Sequence, residues 1–331
     1  MMWRKGMSWH TGMDDVLDAL VIPGYSRIGF AVRSRGWLES EGQPLLGRTV
    51  VVTGHTSGIG LATARRLRAH GAHLVLVGRD AQRTSHAANT VREADGPGSV
   101  DAFVADMGEP DDIRHLCDEV RERFANIDVL VHNAGALLKT RSRNSVGDDG
   151  TLAVHVYGPH LMTSLLMPCL ERSRGRVITV SSGGMYAMPI PDVVAGRTLE
   201  IPDDRYDGTK QYAIAKRVQV TLNEMWARRP EAGNVSFHAM HPGWVDTPGV
   251  ATSIPMFRAV TRPILRSSDQ GADTIAWLCR ADPDDIGNGG FWCDRRKRPI
   301  HRLPATKKSD SPAVRDLVWK LVERHAFGDV R

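Results

Sequence analysis

From residue 48 onward the chain alternates short runs of β-branched and other apolar residues with longer stretches of helical periodicity, and this alternation narrows the possible folds most. The apolar runs are Val50–Thr53, His73–Val77, Val100–Val104, Ile127–His132, Arg176–Ser181 and Val235–Met240. Helical stretches fall near 59–70, 80–94, 110–125, 149–172, 209–229 and 268–280, before a last short strand around 289–293. Runs this continuously apolar are buried on both faces, as in a parallel sheet. Right-handed β-α-β crossovers then give a Rossmann-type doubly wound α/β sheet, a three-layer sandwich in a single domain. Ligands are expected at the carboxyl ends of its strands.

A length of 331 residues suits one large α/β domain with extensions. The expected domain covers 47–293, with an extension over 1–46 and a basic one over 294–331. Val314, Leu317, Val318, Leu321 and Val322 predict an amphipathic helix over 313–325. Four cysteines without C-x-x-C spacing point to buried, reduced thiols, with neither a disulfide framework nor a metal site.

The net charge of +5 is concentrated in Arg295-Arg296-Lys297-Arg298 and Lys307-Lys308. That run lacks interleaved aromatics and any nucleic-acid-binding motif, so it is expected to be a solvated edge, with no nucleic acid as partner. Met1-Met2-Trp3-Arg4-Lys5 suggests a charged leader, but Asp14, Asp15, Asp18 and Pro23 interrupt the apolar stretch that a leader needs. No apolar run reaches the ~18 residues that span a bilayer. A soluble cytoplasmic protein is therefore expected, and homo-oligomerisation stays open. Leu20, Val21, Ile22, Ile28, Phe30 and Val32 are expected to dock on the domain, with peripheral contact on a membrane surface as the alternative.

The first strand runs into Thr53-Gly54-His55-Thr56-Ser57-Gly58-Ile59-Gly60, and a helix opens there. Such glycines let a backbone turn sharply against a pyrophosphate, while the helix N-terminus offers free N–H groups. The second strand ends in Gly78-Arg79-Asp80, where the side chain that reads a ribose should lie. Glycine holds that place and Arg79 follows, a guanidinium suited to a 2′-phosphate, which favours NADP(H) over NAD(H). Asp80 is either a ribose acid or a helix N-cap.

Residues 206–216 hold two overlapping Tyr-x-x-x-Lys frames, Tyr206/Lys210 and Tyr212/Lys216. Residues four apart share a helix face, and an ammonium there can draw a phenol below its usual pKa of roughly 10. Asp207 and Gly208 place the first frame at a helix start, whereas Val218, Val220, Leu222, Met225 and Trp226 continue the second into a long apolar-faced helix. A catalytic pair needs that rigidity, which selects Tyr212 and Lys216.

Taken together, Thr53-Gly54-x3-Gly58-Ile59-Gly60, His132-Asn133-Ala134-Gly135, Ser181-Ser182, Tyr212-x3-Lys216 and Pro242-Gly243-Trp244-Val245-Asp246-Thr247 resemble the short-chain dehydrogenase/reductase family over about residues 47–293. Val177–Met185, Met240–Trp244 and Gln270–Thr274 resemble its dehydrogenase/reductase member 12 branch, which is similar to the retinol-dehydrogenase type. The resemblance implies hydride transfer between nicotinamide and an alcohol or carbonyl substrate, a hydrophobic small molecule. Ser182 would bond the substrate oxygen, Tyr212 would act as general acid/base, and Lys216 would hold the ribose and lower the tyrosine pKa. Gly54, Ser57, Gly58, Ile59 and Gly60 would cradle the phosphates, and Arg79 would read the 2′ position. Asp106 and Met107 would flank the adenine. Asn133, Ala134 and Gly135 would line the ribose, and Pro242, Gly243, Val245 and Thr247 the nicotinamide end.

Two departures from the family pattern stand out. Residues 185–209 form an insertion whose Met185, Met188, Pro189, Ile190, Pro191 and Val193 either line an apolar pocket or pack as a surface flap. His155 stands where the family has an asparagine. It would keep a backbone role, add a group titrating near pH 6.5 or mark weakened catalysis. Residues 244–266, with Trp244, Met256 and Phe257, are expected to form a mobile lid. The rival reading is a catalytically weak or inactive cofactor-binding regulatory or scaffold protein.

Overall fold

The computed structural model describes residues 14–18, 20–37, 44–253 and 255–328. The expected charged leader at residues 1–5 lies outside them. Two short N-terminal helices, α1 (Val21–Tyr25) and α2 (Arg27–Ser34), precede the alternating core. That core runs β1 (Thr49–Thr53), α3 (Gly58–Ala69), β2 (His73–Gly78), α4 (Ala81–Arg92), β3 (Val100–Val104), α5 (Pro110–Arg123) and β4 (Val129–His132). It continues with α6 (Gly158–Ser173), β5 (Arg176–Val180), α7 (Gly208–Trp226), β6 (Ser236–Met240), α8 (Ser268–Arg280), β7 (Gly290–Cys293), β8 (Arg296–Lys297) and α9 (Pro312–Phe327).

The eight strands form one sheet in the order β3-β2-β1-β4-β5-β6-β7-β8, parallel except for the antiparallel β8. Strand order reverses between β1 and β4, and their carboxyl ends open the crevice where such sheets bind ligands. Period-two alternation sends Val51, Val75, Val77, Leu130, Val177 and Phe237 into one core, which also holds buried residues of α5, α6, α7 and α9. Val50, Val52, Leu74, Leu76, Val131 and Ile178 enter the other, with α3 and α8. Helix starts follow side-chain chemistry: Asp207 accepts from the Thr209 and Lys210 amides, and Ser267 with Gln270 forms a capping box. Among the described residues no helix is long and apolar enough to cross a membrane. All four cysteines are free and buried.

Two expectations about the extensions are overturned. The basic run at 295–298 is no solvated edge. Asp294 and Arg295 turn the chain through left-handed backbone (φ 54° and 55°), and Arg298 is buried against Asp14 and Asp18. Arg295 pairs with Asp273 at 2.7 Å, and Arg296 with Asp14 and Asp15. The N-terminal segment does dock on the domain, but through the Tyr25 ring and its polar side chains. Asp14, Ser26 and Arg33 face inward, whereas Leu20, Val21, Ile22 and Ile28 are 44–61 % exposed. Inward-facing charge is stable here because each buried carboxylate meets two or more guanidinium groups.

The insertion is no loose flap. Met185, Ile190, Val193 and Leu199 are fully packed in the core, and the Ile190 amide donates to Ser309 Oγ ahead of α9. Those buried side chains are consequently unable to form the walls of an open apolar pocket.

Candidate active site

The glycine turn sits at the carboxyl end of β1. Gly54 has φ +72°, and a Cβ there would come 2.6 Å from Ala134 Cα. A Cβ on Gly60 would meet Gly54 O at 2.2 Å and Asn133 Nδ2 at 2.5 Å. Only glycine lets these backbones approach so closely. Ser57 precedes α3 in extended conformation without capping it through its side chain, so the first amides of a twelve-residue helix face the crevice without that cap. Ile59 is half-buried beside Gly271.

Asn133, Ala134 and Gly135 leave β4 beside this turn. Thr53 Oγ1 accepts from the Asn133 and Ala134 amides at 3.1 and 3.0 Å, and Asn133 Nδ2 donates to Thr53 O and Gly54 O. Across the crevice, Thr247 Cγ2 lies 3.3 Å from where a Gly58 Cβ would be. The turn holding Pro242, Gly243, Val245 and Thr247 therefore faces the glycine turn. Val245 is buried against Gly271, and Met107 is buried in the main core, so their side chains offer a ligand little surface. Asp106 is occupied locally, its Oδ1 accepting from the Gly108 amide at 2.8 Å.

At the end of β2 a Cβ on Gly78 would lie 2.4 Å from Thr84 Oγ1 and 2.9 Å from Thr56 Cγ2, leaving no room for an acid there. Asp80 serves as N-cap of α4, accepting from the Arg83 amide at 2.8 Å. Arg79 is exposed and has no hydrogen-bond or ion-pair partner among the described residues. Arg79 thus stands at this strand end as an exposed cation, beside a carboxylate engaged as a helix cap.

Ser182, Tyr212 and Lys216 converge beyond β5. Ser181 Oγ donates to Lys216 O at 2.9 Å and so ties the strand end to α7. Lys216 Nζ donates to Val180 O at 2.8 Å and lies 5.4 Å from the Tyr212 ring centroid. Burial drops the Lys216 pKa to about 7. Tyr212 keeps part of its surface open, yet burial among protein atoms raises its pKa to about 12, offset in part by a hydrogen bond with Ser182. The expected lowering by Lys216 is thus absent in the protein alone, where desolvation of the phenol dominates. Tyr206 lies before α7 begins, so Tyr206 and Lys210 do not share a helix face; Arg141 covers the Tyr206 ring at 4.4 Å.

His155 occupies a π-helical turn, Ala153–Tyr157, leading into α6. Its ring meets Tyr212 edge-on at 5.2 Å, and Nε2 lies 3.0 Å from Ala136 O. A Cβ on Gly135 would strike the same ring, at 2.3 Å. Burial, reinforced by Lys216, holds its pKa well below 6.5, which rules out the expected titrating group near pH 6.5. The His155 carbonyl accepts from Gln219 Nε2 at 2.7 Å. Gln219 escaped the sequence reading, whereas Tyr25 entered it only within the Gly24-Tyr25 segment that resembles the member 12 branch, with no role in the site; its ring packs against the turn after Ser182. The signal for its place in the site is a pair of glycines, Gly183 and Gly243, whose crowding no local pattern reveals.

The doubly wound sheet, the glycine turn at its switch point and the serine–tyrosine–lysine cluster define an oxidoreductase of the nucleotide-binding α/β class. The short chain dehydrogenase family matches residues 48–195. Dehydrogenase/reductase SDR family member 12 of Bos taurus is 35% identical over 307 residues, covering 91% of this chain and 94% of that protein. The Homo sapiens protein of that name is 35% identical over 284 residues, 85% and 86% of the respective chains. A short chain dehydrogenase from Burkholderia cenocepacia, solved in complex with NADP, superposes with a TM-score of 0.60 at 24% identity over 75% of this chain and 96% of that one. The chain belongs to the short-chain dehydrogenase/reductase family, oxidoreductases that act on CH–OH and C=O groups, and groups with its member 12 branch.

Proposed function

We propose that this protein is an NADP(H)-dependent oxidoreductase for a hydrophobic alcohol or carbonyl compound, with Tyr212 as general acid/base. The convergence of Ser182, Tyr212 and Lys216 beside the glycine-lined crevice carries this reading. The crowding at Gly78 and the unpartnered Arg79 support NADP(H) over NAD(H). The domain is taken as 47–293, with 244–266 as its lid: Ser253 Oγ donates to Leu137 O at 2.6 Å, and Arg258 pairs with Asp246.

The first amides of α3 and the glycine turn would hold the pyrophosphate, Arg79 the 2′-phosphate, and the turn at 242–247 the nicotinamide end. Bound there, the cofactor supplies or accepts the hydride. In reduction, Tyr212 gives its hydroxyl proton to the carbonyl oxygen. Ser182 donates a hydrogen bond to that same oxygen. Lys216, as ammonium, stabilises the phenolate left on Tyr212, and its own proton balance is poised by a pKa of about 7. In oxidation the same groups run in reverse.

The outward apolar side chains of Val16, Leu20, Val21, Ile22 and Ile28 favour peripheral contact with a membrane surface. Co-sedimentation with phospholipid vesicles tests that point, and recovery of all protein in the supernatant would oppose it. For the activity itself, a panel of hydrophobic aldehydes and ketones is followed by loss of nicotinamide absorbance with each cofactor. Turnover with NADPH is expected. NADPH binding without turnover on any member would favour a scaffold role instead.

A further inference from the structure

Residues 24–26 lie outside the stretch matched by the family, 48–195, yet they are built into the site. Residues 24–26 thread between two loops, the turn at Ser182–Gly184 and the turn at Pro242–Trp244. The Tyr25 ring lies so close to the first that a Cβ on Gly183 would come 2.7 Å from Tyr25 Cε2. Against the second, Tyr25 O accepts from the Trp244 amide at 2.8 Å, and a Cβ on Gly243 would come 2.7 Å from the same oxygen. The ring also meets His241 edge-on at 4.6 Å and is 3 % exposed.

A buried charged hub fixes the segment there. Arg266 donates to Gly24 O, Ser26 O and Pro242 O, each at 3.1 Å, while it pairs with both oxygens of Asp294. Arg33 donates to Gly24 O at 2.7 Å and pairs with Asp294 at 2.6 Å. The hub thus binds the N-terminal strap and the 242–244 turn as one unit.

We propose that Tyr25 is a positioning residue for the active site, its ring setting the Ser182 turn against Tyr212 while its backbone fixes the turn at 242–244. The proposal rests on the catalytic roles assigned to Ser182 and Tyr212. Ser182 Oγ accepts from the Gly184 amide at 3.2 Å, so the serine moves with a turn that has no side chains of its own at 183 and 184. The Tyr25 ring supplies the missing wall. Its hydroxyl has no hydrogen-bond partner among the described residues, and the contact with the Ser182 turn is made by ring carbons, so the ring carries the role. Misplacing a reacting group by about 1 Å costs on the order of 100-fold in rate.

The test compares Tyr25→Phe, Tyr25→Ala, Gly183→Ala and the double variant, each with folding checked by near-ultraviolet circular dichroism. Tyr25→Phe should keep kcat within about twofold, whereas Tyr25→Ala and Gly183→Ala should lower it by about 10-fold or more. NADPH affinity should fall by less than kcat, because the glycine turn and Arg79 are untouched and only the turn at the nicotinamide end is loosened. The double variant should lose less than the product of the single losses, since both changes act on one contact. Equal activity in folded Tyr25→Ala, or an equal loss in Tyr25→Phe, overturns the proposal. Hydrogen exchange at amides 183–186, 243 and 244 reads the same contact without turnover. Faster exchange in Tyr25→Ala but not Tyr25→Phe, with no turnover in the parent protein, would sink the enzyme reading and keep the positioning role. Unchanged exchange would remove the positioning role whatever the activity.

Discussion

Replacing Arg79 by alanine should separate the two nicotinamide cofactors. The guanidinium is exposed at the end of β2, unpartnered, next to a glycine whose Cβ position is filled by Thr84 Oγ1 at 2.4 Å. No acid can enter there to bond a ribose 2′-hydroxyl, so discrimination falls on Arg79. A charge-assisted hydrogen bond contributes about 1.5–3 kcal/mol, and solvent screening places this one toward the lower end. Arg79→Ala should therefore weaken NADPH binding by about 10- to 30-fold while NADH binding shifts by less than about twofold. Fluorescence titration of both cofactors at low and high salt measures this. Added salt should shrink the wild-type advantage for NADPH and leave the variant's small residual preference little changed. Equal losses for NADPH and NADH would refute the assignment.

Buried charge sets three further outcomes. Lys216 has its pKa lowered by burial to about 7 from 10.5, so the unfolded chain binds more protons between those values and stability from this group rises with pH. Lys216→Met should raise the melting temperature most at or below pH 7, the gain vanishing toward pH 10.5; a pH-independent difference would contradict it. His132, His238 and His241 are held neutral by burial, each with a pKa of about 3. Their unfolded forms protonate first, so urea midpoints should fall as pH drops below 6.5, each histidine contributing up to about 1.4 kcal/mol per pH unit. Flat midpoints from pH 7 to 5 would exclude this. Asp294→Asn strands Arg266, while Arg33 keeps Asp14, and should cost about 3–5 kcal/mol in denaturant unfolding. A loss below about 1 kcal/mol would mean that the hub is not a structural clamp.

The layers and the parallel strands were legible because buried parallel strands leave local patterns, such as Val50–Thr53 and Val177–Val180, that need no distant partner. Tyr212 could be separated from Tyr206 for the same reason: Asp207 and Gly208 mark the start of α7. What escaped depends on contacts across the chain. Arg298 and Asp14 are 284 residues apart, and a run of arginines looks solvated until its carboxylates are known. The inverted strap is illegible for the same reason, since hydrophobicity alone would turn Leu20, Val21 and Ile22 inward. His155 looked like a titrating group because its residue type titrates near neutrality, whereas its burial beside Lys216 is a tertiary fact.

The central claim is that Tyr212 delivers the proton in an NADP(H)-linked reaction. Its most direct test is the rate of NADPH oxidation with a hydrophobic carbonyl substrate in wild type and Tyr212→Phe, with NADPH affinity measured in both. The account predicts turnover in the wild type, a loss of about 100-fold or more in the variant, and little change in NADPH affinity. Equal rates in the two proteins would contradict it.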